Sequence, residues 1–382
     1  MTPAGLAEVL SAFGPAYLAR HALPRGAAKV WRAILACRTA TLGGHVETCT
    51  NCGTSRHVYH SCRNRHCPRC QTRAKEAWLA ARRREVLPVP YFHLVFTLPH
   101  ALNGLIGAAP RRLYENLFAA VSATLTEFAA SPRHLGGLPA FSVVLHTWKQ
   151  DLGRHVHVHV HALVAGGALA ESGEWIRPKK GFLFPVRALS NVFRGKFIAG
   201  LDALRRQGHL PDILDPAVWS VLKRSLHAHD WVVYAKQPLG GPQAVLDYLG
   251  RYTHRVAISQ ERIVGITSEQ VAFRVRSAVE GKKRLLRLPG GEFIARFLLH
   301  VLPGGFKRIR HYGLLSPARK KVGLAAARGA LAVPPPETAI VESVAAFLRR
   351  IARLESMCCP HCGGQFLVTA SLLPQTRARG PP

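Results

Sequence analysis

The chain has 382 residues, with 52 Lys and Arg against 21 Asp and Glu, so its formal net charge is +31 and its pI lies near 10.9. With 48% hydrophobic residues it can bury a core. This balance excludes a disordered chain and an ordinary binder of small acidic metabolites, and it points to a polyanion partner. No apolar run reaches the ~18 residues of a membrane span and no signal-peptide core opens the chain, so the expectation is a soluble, cytoplasmic, nucleic-acid-facing protein.

Six of the nine cysteines fall between Cys37 and Cys70, and the other three between Cys358 and Cys362. An odd count in paired short spacings predicts metal ligation in a reducing compartment, not disulfides. Cys49-x2-Cys52 followed by Cys67-x2-Cys70 has the spacing of two knuckles on one structural Zn2+, with Gly53 and Pro68 suited to the turns. Cys62, His60 and His66 lie inside the loop and could replace a ligand or build a second site, whereas Cys37 reads as a core residue. His45-Val-Glu47 ahead of Cys67-Pro-Arg-Cys70 is superficially similar to the zinc-deaminase motif. The proline falls inside the knuckle and Cys49 crowds the glutamate, so a structural zinc fits better. The tail Cys358-Cys-Pro-His-Cys362 supplies half of a similar site, either inert or completed from elsewhere.

From Gln71 to Leu87 the pattern is helical. Ala74, Trp78 and Ala81 form the apolar stripe, while Arg73, Arg82, Arg83 and Arg84 form a basic face suited to phosphates. Pro88 and Pro90 close a first domain, 1–88. Tyr91–Leu98 reads as a buried strand, 111–130 as a helix, and Phe141–Trp148 and His155–Val164 as an antiparallel pair of strands. Helices are predicted over 187–206 and 243–254, short strands over 256–288, and a helix over 292–302. A Pro-rich stretch at 333–337 leads to a last helix and the tail. The expected domains are 1–88 for zinc and DNA recognition, 89–265 for the nuclease, 266–332 for the rest of the core, and 333–382 for linker and tail.

His155-Val-His-Val-His-Val-His161 is the most informative stretch. With a strand's period of two, the four imidazoles share one face and the valines the other. Same-face neighbours are ~6.6–6.8 Å apart, close enough for two imidazoles to share a cation. Two imidazoles with open positions suit a catalytic divalent ion that takes a phosphate oxygen. His146, on the preceding strand, is a candidate third ligand. Tyr248 and Tyr252 stand at i and i+4 on the helix over 243–254, an arrangement that serves a core stripe or a pair of nucleophiles. Arg251 and Arg255 lie beside them to favour a phenolate, and Arg308, Arg310 and His311 are expected along a DNA path.

The order of these stretches resembles the HUH endonuclease superfamily, and more narrowly the two-tyrosine transposases of the insertion-sequence IS91 family. The stretches that carry it are CRTATLGGHVETCTNCG, SCRNRHCPRCQ, LPVPYFHLVFTLPH, HVHVHVHALVAGGAL, YLGRYTHRVAIS and FLLHVLPGGFKRIRHYGLLS. The resemblance implies an α+β fold whose central antiparallel sheet is flanked by helices, HUH endonuclease-like, with an N-terminal zinc-binding domain. It implies nicking of single-stranded DNA, a 5′-phosphotyrosine intermediate and rolling-circle transposition with Mg2+ or Mn2+. His159 and His161 match the HUH pair, His157 an outer histidine, and Tyr248 and Tyr252 the nucleophiles. Val158 stands where relatives often have proline, and Ser277 where many carry an acidic residue. A zinc-finger regulator or inactive transposase, and a plasmid or phage replication initiator, are the rival readings.

Overall fold

The structure, a computed structural model, describes residues 1–148, 151–179, 183–211, 215–239, 241–252, 257–276, 282–336 and 358–375, with backbone alone at 71–74, 148, 154–157, 237–239, 242–243, 249 and 251–252. Elements are numbered in chain order. The chain forms two compact units, each assembled from separated segments: Met1–Ala74 with Arg255–Val301 and Thr338–Pro382, and Lys75–His254 with Leu302–Glu337. Contiguous boundaries at residues 88, 265 and 332 do not describe this grouping, because strand pairing and core packing gather segments that a linear reading keeps apart.

In the first unit, α1 (Leu6–Leu18) and α2 (Arg25–Ala36) pack together through Val9, Leu10, Val30, Trp31 and Ile34. A hairpin of β1 (Gly44–Cys49) and β2 (Ser55–Tyr59) follows, and then the start of α3 (Pro68–Arg83). The far end of the chain returns to this hairpin: β12 (Phe366–Leu372) pairs antiparallel with β1, from Gly44 opposite Leu372 to Cys49 opposite Phe366. A second three-stranded sheet is built from β8 (Ile263–Ile266), β9 (Gln270–Arg276) and β10 (Lys283–Pro289), followed by α9 (Gly290–Leu298).

The second unit is organised on a sheet of six strands. Its members are β3 (Tyr91–Thr97), β4 (Leu138–Trp148), β5 (Arg154–Leu169), the two-residue β6 (Trp175–Ile176), β7 (Val233–Leu239) and β11 (Ile309–Gly313). The order is β11-β4-β5-β3-β7, every pairing is antiparallel, and β6 adds to β5. Alternation fixes the two faces. Phe92, Leu94 and Phe96 of β3, Phe141, Val143 and Leu145 of β4, and Val158, Val160 and Val164 of β5 point into one core. There they meet α4 (Asn103–Ala108), α5 (Pro110–Ala130), α6 (Val186–Arg206) and α7 (Pro216–Ala228). The predicted stripe Leu113, Leu117, Val121, Leu125 and Phe128 is buried on α5, which Pro110 opens with its fixed φ. Asp215 caps α7 by accepting hydrogen bonds from the N–H groups of Ala217 and Val218.

The opposite face carries Tyr91, Leu163 and Ala165 and is covered by α8 (Pro242–Tyr252) and α10 (Lys320–Ala330), through Val245, Tyr248, Leu324 and Ala327. A sheet buried on both faces holds its side chains in fixed positions. His159 and His161 of β5 lie on this second face. The architecture is the expected α+β arrangement of antiparallel sheets flanked by helices, and no described helix is long and apolar enough to cross a membrane.

Candidate metal and nucleophile site

Two strands deliver the histidine cluster. His146 of β4 stands directly across from His159 of β5, and His161 follows two residues on, so the pleat aims all three imidazoles the same way. His146 Nδ1 and His159 Nε2 are 3.0 Å apart, and the rings of His159 and His161 lie 4.9 Å apart. The donor atoms of the three lie within 4.8 Å of one another. Neutral imidazoles so placed can hydrogen-bond to one another or share one cation, and a set of neutral nitrogen donors fits a divalent transition-metal ion that keeps open positions. An open groove lined by Val95, Thr97, Pro99, His159 and Asp230 reaches this cluster from one side. The side chain of His157, the expected outer histidine, lies outside the described residues.

Tyr248 reaches the cluster from α8. It is only 7% exposed, and its hydroxyl is 2.7 Å from His161 Nδ1 and 2.8 Å from His93 Nε2. His93 sits on β3, one strand over from His161, with 2.8 Å between Nε2 and Nδ1. Burial pushes the His93 imidazole down to about 4, with Lys236 and His159 adding repulsion, so near neutrality it is uncharged and its ring nitrogen can accept a hydrogen bond from the Tyr248 hydroxyl. Sequence reasoning did not single out His93. The signal was its place two residues after Tyr91 on a strand whose other face is Phe92, Leu94 and Phe96, which sets it on the histidine face. Tyr252 ends α8 one turn after Tyr248. The side chains of Tyr252 and Arg251, and Arg255 altogether, lie outside the described residues, as does the side chain of Arg73.

The expected basic face divides. Arg83 and Arg84 are exposed. Arg82 is drawn inward, 2.8 Å from Glu85 Oε1 and 5.3 Å from the Trp78 ring, and its guanidinium donates to His311 Nε2 at 3.0 Å. Arg310 stacks over Phe118 and Phe306 at 4.5 and 5.2 Å, so its charge tops an aromatic pair. Arg308 is half-buried. His311, half-buried, holds Ser142 Oγ at 2.7 Å with Nδ1. Since Arg82 only donates, the His311 proton sits on Nδ1. Burial, then Arg82 and Lys320, push its pKa down to about 4. The unfolded imidazole, near 6.5, therefore takes a proton first as pH falls. His311 contributes stability that is present above about pH 6.5 and lost as pH drops toward 4. Urea unfolding should show the second unit weakening between pH 7 and 5, with His311→Gln flattening that loss by on the order of 1 kcal/mol.

The cysteines also depart from the expected pairing. The four thiols anticipated on one zinc are split between two clusters, Cys37–Cys62–Cys67–Cys70 and Cys49–Cys52–Cys359–Cys362. The division has a plain cause. Cys67 and Cys70 open α3 and face Cys37 at the end of α2, whereas Cys49 and Cys52 sit at the hairpin tip that the tail strand joins. Cys37 is buried as a core residue would be, yet its sulfur is 3.5 Å from that of Cys70, and Cys62 is 3.6 Å from Cys70. Neither His60 nor His66 belongs to a cluster among the described residues. Hydrogen bonding from Cys62 pulls the Cys37 thiol down to about 6, while hydrogen bonding with Cys37 pushes Cys67 up. The four sulfurs surround one point, and a cation there favours their ionisation together, which is the donor set of a closed zinc site.

Residues 9–98 match the family described as "Transposase zinc-binding domain", of the IS91 type, and residues 140–322 match the family described as "Putative transposase". The "Putative transposase y4qJ" of Sinorhizobium fredii is 41% identical over 389 residues, covering 99% of this chain and 97% of that protein. The chain belongs to the IS91 family of transposases. The transposase for insertion sequence element IS801 of Pseudomonas savastanoi pv. phaseolicola is 27% identical, over 89% of this chain and 82% of that one. Among solved structures, a metal-bound conjugative relaxase TrwC in complex with oriT DNA is similar at a TM-score of 0.23 and 13% identity, covering 44% of this chain and 73% of that one. The transposase match contains His146, His159, His161, Tyr248 and Tyr252, and the zinc-binding match contains Cys37 to Cys70. Cys359 and Cys362 lie beyond both.

Proposed function

We propose that this transposase cuts one strand of DNA at the ends of its element and rejoins it through Tyr248 and Tyr252. The observation that supports this reading is the Tyr248 hydroxyl, 2.7 Å from His161 at the edge of a three-imidazole cluster. In the proposed step the tyrosine oxygen attacks phosphorus, the P–O3′ bond breaks, and the 3′ oxygen leaves to become a hydroxyl. The 5′ phosphate remains on tyrosine, so the bond energy is kept for the reverse attack by a 3′-OH. His93 holds the Tyr248 hydroxyl by a hydrogen bond and orients its oxygen, and the proton that tyrosine gives up is balanced by the one taken up at the 3′ oxygen. His146, His159 and His161, with His157 as a further member, would hold Mg2+ or Mn2+, which supplies positive charge to the phosphate oxygens. Two nucleophiles one turn apart let one strand end be held while the other is exchanged.

The zinc-binding segments, together with Arg83 and Arg84 and the surplus of positive charge, serve binding of single-stranded element ends and association with the nucleoid. Cys37, Cys62, Cys67 and Cys70 are the proposed structural zinc ligands. The test is incubation of the full chain with Mg2+ or Mn2+ and labelled single-stranded oligonucleotides spanning the element's flanks. A metal-dependent band that survives denaturing electrophoresis, with the adduct mapped to Tyr248 or Tyr252, is the expected result. Tight binding without any adduct, or an adduct on another residue, would overturn the reading. In the same assay His93→Ala should slow adduct formation by about 10²-fold while leaving DNA affinity in place.

A further inference from the structure

We propose that Cys49, Cys52, Cys359 and Cys362 hold a second zinc ion, which fastens the C-terminal tail to the first hairpin. The four sulfurs lie within 4.8 Å of one another, with Cys49–Cys362 and Cys52–Cys359 each at 3.5 Å. The two halves are built alike. Each is Cys-x2-Cys-Gly, at 49–53 and at 359–363, and each glycine takes a positive φ, +71° at Gly53 and +73° at Gly363. Gly53 N–H donates to Cys49 O at 3.1 Å, and Gly363 N–H donates to Cys359 O at 2.8 Å. Two matching knuckles that face each other supply four thiolates around one point, the tetrahedral sulfur set of a closed zinc site. The match between the two knuckles is visible in the sequence as CTNCG and CPHCG, a signal that spacing along the first cysteine group alone does not reveal.

The surrounding backbone fits that role. Thr50 N–H donates to Gln365 O at 2.9 Å and Cys359 N–H to Gly364 O at 2.7 Å, so the ladder of β1 and β12 runs straight into the cluster. Gly364 passes against the Cys49 sulfur so closely that a Cβ there would come within 2.9 Å of it. Leu367 and Val368 of β12 are 58% and 62% exposed, and most of the strand lies open to solvent. A strand so exposed draws little from apolar burial, and small units are commonly secured by a metal or a covalent link. Thiolates on zinc provide that link in a reducing compartment, where disulfides do not persist. The inference is independent of how the DNA is cut.

Cys358 gives an internal control, because it is exposed and belongs to neither cluster. The full zinc-loaded chain would be treated with a thiol alkylating reagent and each cysteine read by peptide mass spectrometry, alongside elemental analysis of bound zinc. The expected outcome is two zinc ions per chain, with Cys358 labelled readily. Cys359 and Cys362 stay protected until a chelator is added, and a reductant alone does not expose them. In the double variant Cys359→Ser, Cys362→Ser the zinc content should fall to one. Labelling of Cys359 and Cys362 as fast as Cys358 would overturn the proposal. So would protection lifted by reductant instead of chelator, which would indicate disulfides, or a double variant that keeps both zinc ions. Should that variant fail to fold, the labelling pattern of the unaltered chain decides alone.

Discussion

Changing both Tyr248 and Tyr252 to phenylalanine is expected to leave DNA binding intact and to remove every covalent protein–DNA product. The reasoning starts from packing. Tyr248 is buried among Leu87, Val89, Val245 and Leu324, so its ring is part of the core on the histidine face and phenylalanine keeps that volume. Only the hydroxyl is lost, together with its hydrogen bonds to His93 and His161. That loss costs about 1 kcal/mol, small beside the stability of a domain. The chemical loss is total, because no oxygen remains to attack phosphorus. A denaturing gel should therefore fall to background for the double variant, while a filter-binding isotherm at fixed salt stays within about twofold of the unaltered chain. Retention of the adduct would remove both tyrosines from the mechanism. Loss of binding together with the adduct would show that they serve folding or DNA contact instead.

The arrangement of the second unit was legible because its strands follow the period of two. His155 to His161 alternates with valine, and Val158 and Val160 are buried where the alternation puts them. Phe141–Trp148 and the histidine strand pair antiparallel as their short polar connection requires. His146 joins the cluster because this pairing sets it opposite His159, a register that follows once the two strands are aligned. The cysteines were less legible for a reason of distance. Spacing marks which thiols can form a knuckle, but which knuckles meet is decided by β12 pairing with β1 across more than three hundred residues of sequence. Cys37 was hidden in the same way, since a lone buried cysteine after a helix carries no pattern of its own. The basic residues show the opposite limit. Arg82 and Arg310 read in the sequence as phosphate contacts alone, whereas in the structure Glu85, His311 and Trp78 also engage Arg82, and Phe118 and Phe306 lie beneath Arg310.

Replacing Cys67 by serine is expected to unfold the first unit while the second keeps its structure. Cys67 is 1% exposed, and its cluster joins the end of α2 to the start of α3. Three thiolates and a serine hydroxyl bind zinc far more weakly than four thiolates, and structural zinc in small domains contributes roughly 10–16 kcal/mol at neutral pH. Typical domains have only about 5–15 kcal/mol of net stability, so losing the ion removes more than the unit can spare. Limited proteolysis should then cut within residues 1–74 while the six-stranded sheet remains protected, and bound zinc should fall. Cys37→Ser should reproduce both effects. That second variant separates the two arrangements of ligands. If zinc were held by Cys49, Cys52, Cys67 and Cys70, Cys37→Ser would shrink one buried side chain slightly and cost about 1–3 kcal/mol with zinc content unchanged. With Cys37 among the ligands it removes a bond to the ion, and zinc content and protease resistance fall together.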